Sequence, residues 1–95
     1  FCFTPKGALI ALPRGATPID FAYALHSAIG NEAVGCRING RSAPLLSELH
    51  NGDEVEIIRA PGQTPPAAWE TAVRTGKARA DIRRATRAAV KAQYT

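Results

Sequence analysis

Ninety-five residues are enough for one small domain and a tail, and the first residue is Phe1 rather than a methionine, so the chain reads as a piece of a longer protein. A hydrophobic share of 45% suits a globular domain, while the apolar stretches are only a few residues long and no signal peptide is visible, which excludes a bilayer-spanning segment of roughly 20 residues. The net charge of +4 is unevenly placed: residues 1 to 59 hold five basic and six acidic side chains, a net of −1, and residues 60 to 95 hold seven basic and two acidic, a net of +5. Cys2 and Cys36 lack the CxxC spacing of a metal or redox site. The expectation is a reduced, cytoplasmic protein with no metal, no other cofactor, and neither membrane nor DNA as partner.

In chain order, Phe1-Cys2-Phe3 is a short β-prone run, and Pro5-Lys6-Gly7 supplies a turn into Ala8 to Leu12, a hairpin pattern. Thr17 then suits a helix N-cap, Pro18 the first helical position and Asp20 the third, its carboxylate near the positive helix end. Ile19, Ala22, Leu25 and Ile29 recur at three- and four-residue steps, which predicts one helix of about three turns, ended by Gly30 in a left-handed conformation.

Ala33 to Ile38 reads as a strand stopped by the turn pair Asn39-Gly40. Leu45, Leu46 and Leu49 mark an irregular segment to be buried. After the turn Asn51-Gly52-Asp53, the run Glu54 to Ile58 alternates, with Val55 and Ile57 on one face. The order β-β-α-β-β predicts an α+β fold in which one helix packs across a mixed sheet, for which the β-grasp is the natural candidate. Pro61, Pro65, Pro66 and Gly62 break the pattern, so residues 1 to 59 are expected to form the domain, 60 to 68 a linker and 69 to 95 a helical extension. In that extension Arg79, Arg83, Arg84, Arg87 and Lys91 share one arc, opposite Ala78, Ile82, Ala85, Ala89 and Ala92. With Ile82 as the only bulky residue on that apolar arc, such a helix must dock on something or fray.

Candidate chemistry is sparse. His26 is placed in the last turn of the first helix, where the helix end favours a protonated imidazole that binds phosphate or a nucleotide edge; the alternative is a capping or half-buried histidine. His50 reads as a solvated turn residue, and Cys2 and Cys36 as packing thiols. The glycines lack phosphate-loop spacing, and no carboxylate pair or nucleophile-base pair stands out, so no catalytic residue is expected. The arginine arc and Trp69 suit either RNA contact or a solvated face with a buried anchor.

The strings Phe3-Thr4-Pro5-Lys6-Gly7, Leu12 through His26, Arg37-Ile38-Asn39-Gly40 and Asn51 through Ile57 resemble the TGS domain of RelA/SpoT homologues. The resemblance continues through Ala60-Pro61-Gly62 and Ala68-Trp69 into Lys77 through Arg83, and is closest to SpoT-like bifunctional members. It implies a ubiquitin-like regulatory domain of a protein that makes and hydrolyses (p)ppGpp, with the catalytic domains N-terminal to Phe1. Two ligands are implied: the 3′ CCA end of a deacylated tRNA on the ribosome, with His26 contributing, or acyl carrier protein. His26, Tyr23, Arg37 and Arg41 are the expected contact residues. Where relatives read Gly-His-Arg or Gly-His-Ala, this chain has Gly30-Asn31-Glu32, and Glu32 sets a negative charge against a phosphate backbone. The other reading is structural: a module that packs against neighbouring domains of the parent chain or associates with itself.

Overall fold

A computed structural model describes the backbone of residues 1–93 and the side chains of residues 1–88; Ala89, Lys91 and Ala92 of the expected arcs and residues 94–95 of the expected extension lie outside these. Strands β1 (Cys2–Phe3) and β2 (Leu9–Ile10) form the expected hairpin, pairing Cys2 with Ile10 and Phe3 with Leu9. Gly7 takes φ +91°, and its N–H donates to the Thr4 carbonyl at 2.8 Å to close the turn. Strand β3 (Ala33–Ile38) pairs antiparallel with both β4 (Arg41–Ala43) and β5 (Val55–Arg59). Asn39 and Gly40 both have positive φ, 54° and 81°, the condition for a tight turn whose twist matches its strands. An isolated parallel bridge between Phe3 and Glu54, with the Phe3 N–H on the Asp53 carbonyl at 3.0 Å, links the β1-β2 sheet to the β4-β3-β5 sheet just before β5 begins. This is the expected α+β, β-grasp layout.

Helix α1 (Pro18–Leu25) begins as the sequence predicts. Thr17 Oγ1 accepts the Asp20 N–H, and Asp20 Oδ2 accepts the Thr17 N–H at 2.9 Å, a reciprocal cap. It ends earlier than predicted. His26 is extended, with φ −169° and ψ 144°, and a separate short helix α2 (Ser27–Asn31) follows. Gly30 is therefore not a left-handed terminator. It is a close approach: a Cβ there would overlap the Tyr23 ring.

The tail folds back onto the domain. Residues 60 to 68 lead through the buried Pro65 to α3 (Trp69–Ala72) and α4 (Gly76–Gln93). Ile82, Ala78 and Val73 then bury themselves against Ile19, Tyr23 and Ala33, with Leu45, Ile57 and Trp69 packed at the edge. A second cluster, Cys2, Phe21, Leu49 and Val55, fills the space between α1 and the sheet. Leu45 and Leu49 are thus used as expected, whereas Leu46 stays 44% exposed. Pro18 through Tyr23 are all buried because α1 lies between two layers, the sheet on one side and α4 on the other.

Candidate functional site

The α1–α2 junction is built by His26 itself. Its backbone N–H donates to the Ala22 carbonyl at 3.1 Å, closing α1, and its Nδ1 accepts the Ala28 N–H at 3.0 Å, opening α2. An imidazole that accepts at Nδ1 keeps its hydrogen on Nε2, so the exposed ring offers a donor. The sequence places His26 in the last turn of one longer helix, as a ligand contact or a cap; the structure shows a capping role, as the N-cap of the next helix. Leu25, the residue before His26, lines an open groove of about 490 Å³ together with Ile29 and Ile57, and the exposed Lys6, Glu56 and Arg59 also line it.

The other expected contact residues are dispersed. Tyr23 is wholly buried, and its hydroxyl donates to Asn31 Oδ1 at 2.7 Å, so it has no surface to present to a ligand. Burial, with the Asp81 charge adding to it, raises its pKa. Arg37 shares the outer face of the sheet with its neighbours Ser42 and Glu56, at 4.0 Å from the Glu56 carboxylate, whereas Arg41 is in register with the inward-facing Ile38 at the far end of β3. The two arginines face opposite sides, and neither joins His26 in one cluster. Asn31 and Glu32 acquire roles that the comparison of motifs did not reveal. Asn31 holds the Tyr23 hydroxyl, and Glu32 accepts both Nε and Nη2 of Arg59, which compensates its charge.

His50 is an exposed turn residue as expected, 3.9 Å from both the Glu48 and Asp53 carboxylates. The Cys2 and Cys36 thiols are buried, donate to backbone carbonyls, and have pKa values raised chiefly by that burial. They serve packing, as read from the sequence. Trp69 lies against the first core cluster, in the anchor position rather than the open one.

Sequence reasoning missed two carboxylates. Asp20 looks like a helix cap and nothing more, yet its Oδ1 also accepts the Thr75 N–H and Thr75 Oγ1, both at 2.8 Å, and the Arg74 N–H reaches both carboxylate oxygens. Thr75 in turn accepts the Ala78 N–H, so the starts of α1 and α4 share one carboxylate. Asp81 is 7% exposed and accepts from Ser27 Oγ at 3.0 Å, Lys77 Nζ at 2.8 Å and Arg84 Nη1 at 3.0 Å. Burial opposes its charge, but the hydrogen bonds from Lys77 and Ser27 and the charges of Lys77 and Arg84 outweigh it and hold its pKa below the ordinary value. The Thr-Gly pair at 75–76 was the available signal for the first carboxylate, since a capping threonine there predicts a helix start in need of an acceptor.

A two-stranded and a three-stranded sheet linked by a parallel bridge and crossed by one buried helix define a β-grasp domain, and among the described residues no group of three or more His, Cys, Asp or Glu is placed to hold a metal ion. Residues 1–59 match the TGS domain family, and the chain belongs to it. All 95 residues are 70% identical to the GTP pyrophosphokinase rsh of Brucella ovis and to that of Brucella abortus, of which the chain spans 13%. Over 83 residues, 87% of the chain, it is 52% identical to the bifunctional (p)ppGpp synthase/hydrolase SpoT of Escherichia coli, 12% of which is covered. These relatives are RelA/SpoT-type enzymes, as the motifs implied, and their similarity extends beyond residue 59 into the docked tail.

Proposed function

We propose that this TGS domain is a ligand-sensing regulatory unit of a larger (p)ppGpp synthetase/hydrolase, and that its ligand is the 3′ end of a deacylated tRNA. The observation that supports it is the exposed His26, with Nε2 as donor, directly following Leu25, which lines a groove with Ile29 and Ile57. Apolar walls suit the faces of unstacked bases, and Lys6 and Arg59 at the rim suit phosphates. Glu32 engages Arg59, which offsets the repulsion expected of an isolated carboxylate. Acyl carrier protein is the second reading, favoured by the exposed Arg79, Arg83, Arg84 and Arg87 on α4 as a surface for an acidic protein.

Titrating the isotope-labelled chain with a CCA-ended oligonucleotide, deacylated tRNA and acyl carrier protein separates these readings. Amide shifts centred on residues 25–29 and 57–59 with the first two are the expected result. Shifts along α4 with acyl carrier protein alone would favour the second reading, and flat titrations with all three would leave the domain a structural module.

A further inference from the structure

The α1–α2 junction is tied to the tail by side chains that the ligand groove does not use. Ser27, the residue after His26, donates to Asp81 on α4, and Lys77 of the same helix reaches both the Asp81 carboxylate and, at 3.5 Å, the Ser27 hydroxyl. At the other end of α1, Asp20 receives the N–H groups that precede α4. Between these two anchors Ile19 and Tyr23 pack on Ala78 and Ile82. Helix α1 is thus held to α4 at both ends and along its length.

The two anchors differ in stiffness. Asp20 is 1% exposed and its carboxylate is shared by two helix caps. The Ser27 end depends on α2, a five-residue helix too short to be stable without its cap. That cap is His26 Nδ1. A group that engages the His26 ring and turns it removes the acceptor from the Ala28 N–H, frees the first turn of α2, and with it the Ser27 hydroxyl that Asp81 holds.

We infer that α4 is the output arm of the α1–α2 junction, with Ser27 and Asp81 as the latch between them and Asp20 as the fixed pivot. The inference rests on the sensing role of His26 proposed above, but the latch itself is testable without any ligand. Release of Ser27 leaves Asp81 with Lys77 and Arg84 only, which loosens the first half of α4 while the pivot at Asp20 stays closed. The consequence is a change in how the chain leaves the domain, the one geometric quantity that a downstream segment would read.

Residue-resolved amide exchange on the whole chain measures it, with the amides of β5 as internal reference. His26→Ala and Ser27→Ala are each expected to speed exchange at residues 81–84 about fivefold relative to β5, and the double variant to add little to the larger single effect, because both act through one contact. Arg37→Ala, on the outer sheet face, is the control and should leave α4 within about twofold. The latch is refuted if His26→Ala changes only α2, if the two effects multiply independently, or if β5 accelerates in parallel with α4. Loosening of α4 by His26→Ala together with flat ligand titrations would support the latch while removing the tRNA end as its trigger.

Discussion

The two halves of this chain differ in almost everything that can be counted locally. Residues 1–59 are near neutral and strand-rich, with turns marked by glycine at each end; residues 60–93 are basic, alanine-rich and helical. By composition the boundary lies at the prolines that follow Arg59, and the TGS family match ends there too. By packing there is no boundary. Val73, Ala78 and Ile82 complete a cluster whose other members, Ile19, Tyr23 and Ala33, belong to the first half. A change in composition marks where the chain's local rules change, and the core is indifferent to it.

The sharpest way to break that comparison is at Asp20. Were it only a helix cap, Asp20→Ala would cost about 1 kcal/mol, the usual value of an N-cap. Because the same carboxylate is the acceptor for the backbone of Arg74 and Thr75, its loss leaves several half-buried donors without a partner, each worth roughly 1–3 kcal/mol, and the expected cost is about 4 kcal/mol. Urea unfolding of the whole chain distinguishes the two values, and a loss near the lower one would reduce the tail to an appendage.

Ile82→Ala comes next. The side chain is fully enclosed, so truncation should cost about 3 kcal/mol from lost burial and the cavity left behind. The form of the transition is as informative as its size. Trp69 fluorescence reports the tail and the amides of β5 report the sheet, and in a single cooperative unit both probes shift to the same new midpoint. If only the tryptophan signal moves, the two halves unfold separately and share less than their contacts suggest.

How far the sequence alone reached follows the same division. The start of α1 was legible because Thr17, Pro18 and Asp20 act within a few residues of one another, and so was β3, bounded by Asn39 and Gly40, whose positive φ values the residue types announce. The end of α1 was not legible. It is broken by a histidine acting as N-cap, outside the usual Ser, Thr, Asp and Asn set, and Gly30 answers to the Tyr23 ring rather than to a helix terminus. One further signal lies in the sequence: Pro18 to Leu25 is apolar nearly all round, which calls for burial on two sides and therefore for a second layer. Tyr23, expected among the surface contacts, accordingly lies under α4. Arg37 and Arg41 fall on opposite faces because their orientation depends on a strand register that charge does not encode.

The smallest expected effect is also the one that reads both halves in a single experiment, the dependence of stability on pH. Asp81 has its pKa held below the ordinary 3.8, so it binds a proton less readily folded than unfolded. Its contribution is complete above that value and is lost as the pH falls through the lower folded one. Tyr23 is shifted the other way. Its folded pKa is raised above the ordinary 10.0, so its contribution is complete below that pH and is lost as the solution becomes more alkaline and the unfolded chain ionises first. Asp81→Asn should therefore flatten the acid limb of a stability profile and change the alkaline limb only modestly, and Tyr23→Phe should flatten the alkaline limb and leave the acid limb in place. Both groups lie at the contact between α1 and α4, and the Asp81 charge itself helps to raise the tyrosine. A modest change in the alkaline limb on Asp81→Asn is thus the signature of one shared interface, and strict independence of the two limbs would argue that the halves titrate, and fold, apart.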